Sequence, residues 1–200
     1  NDPRFSPAGV LAPPSKADLA FTMHMLSWLS TSGTAAIVEF PGVLYRGGAE
    51  QKIREYLIEN NYIDAVIQLP PDLFFGTTIA TCIIVLKKSK KDNKTLFIDA
   101  SAEFVRGGNK NKLSDENRQN ILTAFKNRED SEYFARLVDN QKIGENDYNI
   151  AVSSYVVQED TREVIDITQL NAEISRIVAR QSELRTAIDE IVADLEGSRQ

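Results

Sequence analysis

From Ile167 onward the apolar residues fall on one helical seam. Ile167, Leu170, Ile174, Ile177, Gln181, Leu184, Ile188, Ile191 and Leu195 alternate steps of three and four. Such spacing puts them all on one stripe of an α-helix, the a and d positions of a heptad repeat. At 1.5 Å per residue the helix runs ~45 Å. A stripe that long cannot bury itself against its own helix. It predicts packing on another helix, in this chain or in a partner. Gln181 is the one polar residue of the seam; it either sets register or faces solvent.

The 200 residues suffice for one domain plus such an appendage. Hydrophobic residues make up 42% and charged residues 26%, a globular rather than disordered composition. No apolar run approaches the ~20 residues that span a bilayer, so no membrane partner is expected. The sequence starts Asn1-Asp2-Pro3-Arg4, without an initiator Met or a cleavable leader, and reads as a processed product or a piece of a longer chain. Cys82 and His24, one of each type, build neither a disulfide framework nor a His-rich metal site. A reducing, cytoplasmic setting follows by default. Residues 1–112 carry a net charge of +2 and residues 113–200 a net of −8. Global charge therefore lends no support to nucleic-acid binding, which would need a local site or a basic partner.

Four of the seven prolines lie in residues 1–14, an extended lead-in. Ser15 and Asp18 match a capping box, followed by Leu19, Met23 and Leu26 at helical spacing. Residues 35–40 read as a strand, 49–59 as a helix and 63–69 as a second strand. Strand, helix, strand predicts a parallel pair with a right-handed crossover. Ile79 to Leu86 is a third strand, expected to return antiparallel. The turn with Lys87, Lys88, Lys90, Lys91 and Lys94 leads into a strand at 96–100. It reads as a solvated hairpin turn that protects an edge, on the far side from the candidate site. Ser114 caps an exposed helix to Arg128. Weak strands are expected at 134–138 and 148–152, and a polar linker at 158–163. The domains are thus 1–112, an α/β part; 113–160, a helix and short strands extending it; and 161–200, the heptad helix.

Ligands of open α/β sheets sit at the strands' C-terminal edge. Two loops leave that edge. In the first, Arg46-Gly47-Gly48 precedes a helix start, where bare N–H groups and a guanidinium suit an anion. The simpler alternative is a tight turn with Arg46 in solvent. In the second, Phe74-Phe75 lies between Pro70-Pro71 and Gly76-Thr77-Thr78. An aromatic there can stack on a nucleobase. On the residues alone, both rings plugging the core is the simpler reading. His24 reads as structural or surface, and Cys82 as a core residue. The sequence contains no Gly-x-Gly-x-x-Gly and no P-loop.

Several blocks, in order, resemble the DNA-methylating (modification) subunit of type I restriction-modification systems. They are Pro7 to Phe21, Pro41-Gly42-Val43-Leu44-Tyr45-Arg46-Gly47-Gly48-Ala49-Glu50, Leu69 to Ile79, Leu96-Phe97-Ile98-Asp99-Ala100-Ser101 and Asn146-Asp147-Tyr148-Asn149-Ile150. The resemblance covers roughly residues 4 to 157. It implies the distal part of a Rossmann-like, S-adenosylmethionine-dependent methyltransferase sheet acting on adenine N6 in DNA. It also implies assembly with a specificity subunit, met by the long C-terminal helix, and with a restriction subunit. The family's Asp-Pro-x-x-Gly-x-Gly-like cofactor turn and its Asn-Pro-Pro-Phe/Tyr motif are absent from the sequence. The chain therefore looks like a C-terminal portion entered just after the catalytic motif, inactive alone and not itself holding the cofactor. Phe75, or else Phe74, falls in the loop that related adenine methyltransferases set against the flipped base, with Arg46, Gly47 and Gly48 on the same edge. The alternative class is a non-catalytic α/β interaction module that assembles through its coiled-coil helix, with self-association in the absence of a partner.

Overall fold

The structure, a computed structural model, describes residues 2–158 and 166–197. The chain divides into two compact units, the first ending at Glu159 and the second beginning at Asp160. Beyond Gln158, the expected linker lies outside the described residues.

The first unit is a mixed five-stranded sheet between two helical layers. Its strands are β1 (Thr34–Glu39), β2 (Ile63–Gln68), β3 (Cys82–Lys87), β4 (Lys94–Asp99) and β7 (Ala135–Asp139), in the spatial order β1-β3-β2-β4-β7. A separate two-stranded hairpin is made of β5 (Val105–Gly107) and β6 (Lys110–Lys112). One face of the sheet carries α1 (Asp18–Trp28) and α2 (Ala49–Glu59), whose Leu19, Met23, Leu26, Ile53 and Leu57 meet Val66, Ile84 and Phe97. The other face carries α3 (Asp115–Asn127), with Ile121, Ala124 and Phe125 against Leu96, Ile98 and Val85. The one-in, one-out alternation of strands β3 and β4 supplies these two faces from consecutive residues. The short α4 (Asn140–Glu145) follows β7 and packs Ile143 on the α2 side.

β1 and β2 run in the same direction, but they are not neighbours. β3 lies between them, antiparallel to both. Five consecutive apolar residues, Cys82 to Leu86, suit a strand covered on both faces, whereas β1 alternates between half-buried and exposed positions and takes the edge. The adjacent parallel pair is β2 with β4. The antiparallel return of the third strand matches expectation, although regular pairing starts at Cys82 rather than Ile79.

Three further expectations fail locally. Ser15 caps nothing: α1 begins at Asp18, Ala17 holds the N-cap position, and no side chain caps it. Residues 148–152 form no strand, because Asp147 and Tyr148 adopt left-handed backbone (φ 54° and 52°). The lysine turn is not a hairpin between neighbours. Its flanking strands lie on either side of β2, so it crosses the start of that strand, and Lys90 Nζ donates to the Ile63 carbonyl at 2.7 Å. Burial pulls the Lys90 ammonium down to about 8.

The second unit is one helix, α5 (Ile167–Gly197). Asp166 accepts from the backbone N–H of Thr168 and Gln169 and so caps it. The seam residues Leu170, Ile174, Ile177, Leu184, Ile188 and Ile191 are all exposed, with Val178 and Val192 beside them. Gln181 is exposed as well. Among the described residues, no helix is long and apolar enough to cross a membrane.

Candidate functional site: an aromatic loop at the strand edge

Strand register lines up one row of residues across four strands: Glu39 pairs with Cys82, Cys82 with Gln68, and Gln68 with Asp99. This row is the edge at which β1, β2 and β4 end, so the two candidate loops leave the sheet on the same side.

The loop between β2 and β3, residues 69–81, has no regular secondary structure, yet it is tied down at its base. Leu69 N–H donates to the Thr81 carbonyl at 2.9 Å, and Gln68 Nε2 donates to the same carbonyl at 3.1 Å. Asp72 (φ 59°) and Gly76 (φ 78°) turn the chain through left-handed backbone. Between them Phe75 is 100% exposed and Phe74 42% exposed. The reading in which both rings plug the core is thereby overturned: Leu69 and Ile67 fill that space, with Leu73 partly buried against them.

The hairpin β5–β6 braces this loop. Asn111 N–H donates to the Asp72 carbonyl at 3.0 Å and Asn111 Nδ2 to the Pro71 carbonyl at 2.8 Å. Lys110 Nζ reaches the Thr77 carbonyl at 2.7 Å and the Asp72 carboxylate at 3.5 Å. Arg106 approaches the same carboxylate at 3.6 Å and donates to Asn111 Oδ1 at 2.9 Å. In the sequence, residues 102–113 read as polar and rich in Gly and Asn, and neither the hairpin nor this contact was expected. The available signal was Gly108-Asn109, a two-residue hairpin loop with Gly at its first position (φ 68°).

The other loop differs from its sequence reading. Residues Pro41–Leu44 form a 3-10 turn, and Gly48 (φ 71°) is the N-cap of α2, a conformation that favours glycine. Arg46, partly exposed, is engaged within the chain rather than free to cradle an anion. Its guanidinium folds over Gly42 and pairs with the buried Glu50 at 3.3 Å. The positive charge beside Gly47-Gly48 is therefore balanced from within.

Two other polar groups at the edge are occupied. Glu39 is 6% exposed, and burial holds its carboxyl above the usual carboxylate value, opposed by a 2.9 Å bond from Thr22. Its neighbour Cys82 is buried, and its thiol is pushed up to about 12. Asp99 accepts from Ser101 N–H at 2.9 Å and from Gln158 Nε2 at 3.2 Å. His24 lies between the rings of Phe5 and Trp28, at 5.8 and 4.9 Å. Among the described residues, no group of three or more His, Cys, Asp or Glu side chains is placed to hold a metal ion.

The described residues thus form a mixed α/β sheet with an exposed aromatic on a braced loop at the edge where β1, β2 and β4 end. The chain belongs to the N-6 DNA methylase family, whose model matches residues 1–164. It is 50% identical over 98% of its length to the type I restriction enzyme MpnII methylase subunit of Mycoplasma pneumoniae, covering 36% of that protein. It is 36% identical over 94% of its length to the MjaVII methylase subunit of Methanocaldococcus jannaschii, covering 33% of it. Among solved structures it resembles the type I restriction-modification methyltransferase subunit of Streptococcus thermophilus. The TM-score is 0.76 at 49% identity, over 78% of this chain and 33% of that one. The chain thus spans about a third of the length of these relatives.

Proposed function

We propose that this chain works as part of a type I restriction-modification methylase subunit, which moves a methyl group from S-adenosylmethionine to adenine N6 in DNA. The observation that carries the reading is Phe75, wholly exposed on a braced loop where the sheet's strands end. An exposed ring held on a fixed base is what stacking on an extruded nucleobase requires. N6 is inaccessible to this chemistry within the duplex stack, and extrusion costs a few kcal/mol. Stacking on an aromatic returns roughly 1–3 kcal/mol. Phe74 is the neighbouring wall, and Gly47 and Gly48 with the internally paired Arg46 flank the same edge.

Bound S-adenosylmethionine supplies an electrophilic methyl. The described residues do not fit it: the sequence has no Gly-x-Gly-x-x-Gly, the Arg46 beside Gly47-Gly48 pairs with Glu50, and both Glu39 and Asp99 are engaged within the chain. We assign the cofactor to the part of the relatives' length that this chain does not match. On this reading the chain alone transfers no methyl group and acts in the cytoplasm. The open edge of β1, with Val38 and Phe40 exposed beside it, supports taking the sheet as the distal part of a larger Rossmann-like sheet.

The exposed seam of α5 favours a second role in the same assembly. Ile167, Leu170, Ile174, Ile177, Leu184, Ile188, Ile191 and Leu195 dock on helices of the specificity subunit, with the restriction subunit joining the complex; without a partner the seam pairs with itself. Ile177→Asp with Leu184→Asp should abolish association with the specificity subunit in gel filtration, and unchanged association removes the seam from the docking role. For catalysis, Phe75→Ala in the assembled methylase should lower methyl transfer to DNA at least tenfold, with Phe75→Trp retaining most of it. Wild-type transfer by Phe75→Ala and Phe74→Ala alike would sink the base-stacking role.

A further inference from the structure

We propose that the β5–β6 hairpin is a clamp that sets the aromatic loop for the extruded base, with Lys110 and Asn111 as its positioning residues. The inference rests on the Phe75 reading above and extends it to residues that touch neither base nor cofactor. Loops of this length without secondary structure are uncommon in compact domains unless they carry function. This one points its ring into solvent, so it gains no rigidity from burying its own tip. Within itself the loop bonds Asp72 N–H to the Thr78 carbonyl at 3.4 Å and Ile79 N–H to Thr77 Oγ1 at 3.1 Å; among the described residues, its polar contacts from another segment beyond the neighbouring strand ends come from the hairpin. Asn111, 4% exposed, has every side-chain group in use: Nδ2 on the Pro71 carbonyl, Oδ1 under the Arg106 guanidinium. Its N–H takes the Asp72 carbonyl, so one residue fixes two successive loop positions. Lys110 spans the loop from the other end, joining the Thr77 carbonyl to the Asp72 carboxylate. The bonds fall on both sides of Phe74-Phe75 and leave the rings untouched.

The hairpin has little other structural purpose. It pairs with no strand of the main sheet, and Val105 is exposed on it. Its place in the fold is accounted for by what it holds. A ring on a loose loop must be ordered when the base arrives; a ring on a clamped loop has lost that freedom beforehand, and extrusion is easier by that margin.

The test uses the assembled methylase on duplex DNA with 2-aminopurine at the target adenine, whose fluorescence rises on unstacking. Lys110→Ala and Asn111→Ala should reduce the fluorescence rise and, on the same duplex with adenine at the target, lower kcat about tenfold, with the Kd for DNA within twofold of wild type. Lys110→Arg, which keeps both contacts, should restore the signal. Lys110 is partly exposed, so its variants decide the matter if Asn111→Ala does not fold. A wild-type rise in Lys110→Ala, with Phe75→Ala abolishing it, overturns the clamp and leaves Phe75 its role. A wild-type rise in Phe75→Ala and Phe74→Ala overturns the stacking role and the clamp with it.

Discussion

Arg54 Nε donates to the Tyr148 carbonyl at 2.8 Å, joining α2 to a segment 94 residues further along the chain. Its Nη1 takes the Val43 carbonyl at 2.9 Å, and the residue is 1% exposed. Burial pulls its guanidinium down to about 10, which leaves it charged at neutral pH. Arg54→Met fills the space but strands two buried carbonyls, at about 1–3 kcal/mol each. A urea melt should show the loss; a midpoint equal to wild type would mean that water replaces both bonds.

Glu39 should make stability depend on pH. Burial, the largest cause, holds its folded value above the usual 4.5, with Thr22 opposing and Asp18 adding. Between 4.5 and that raised value the folded state binds more protons than the unfolded one, so stability falls as pH rises through this window. Glu39→Gln keeps an acceptor for Thr22 and removes the charge. Its Tm should exceed wild type at pH 8 and match it at pH 4. Equal Tm values at pH 8 would refute the burial cost. In the same region the Cys82 thiol, pushed up to about 12, should resist DTNB at pH 8 until guanidinium unfolds the chain.

Arg46 occupies the space beside Gly42: an added Cβ would meet its guanidinium. Gly42→Ala must displace the guanidinium, the far end of a flexible side chain, and should cost at most its bond to Glu50, about 1.5 kcal/mol or less. Arg46→Ala should cost a similar amount. The double variant should cost no more than Arg46→Ala alone; full additivity in chemical denaturation would show that the two positions are uncoupled.

Ser114 accepts from Asn117 N–H at 3.1 Å, and the Asn117 side chain bonds back to Ser114 N–H at 3.0 Å. Ser114→Ala should destabilise by about 1 kcal/mol, and Ser114→Asp, which keeps a capping oxygen, should avoid most of that loss. Melts of the two variants compare them directly.

The contrast between Ser114 and Ser15 shows how far local pattern reached. Both precede helices with the right spacing, yet only Ser114 caps. Pro13 and Pro14 run into a turn in which Lys16 N–H bonds the Pro13 carbonyl, and the helix starts later, at Asp18. The direction of β3 was legible from the short connection before it, which holds no helix. Its place between β1 and β2 was not, because it depends on which strand can be covered on both faces. At the candidate site, the two loops and Phe74-Phe75 were visible as residues. Their exposure, the hairpin that braces them and the internal pairing of Arg46 were not, since each is made by contacts between segments that no local spacing records.

Taken alone, the amino-acid sequence determined what repeats or alternates locally: the heptad stripe of α5, the apolar strands, the Ser114 cap and the edge from which the loops leave. Hydrogen-bond periodicity and side-chain direction within a segment are enough for these. The tertiary structure decided strand order, the burial of Arg54 and Glu39, and the release of Phe75 into solvent. Those outcomes turn on which distant backbone groups supply partners once water is excluded: Asn111 and Lys110 hold the loop that Phe75 crowns, 35 residues or so away in sequence.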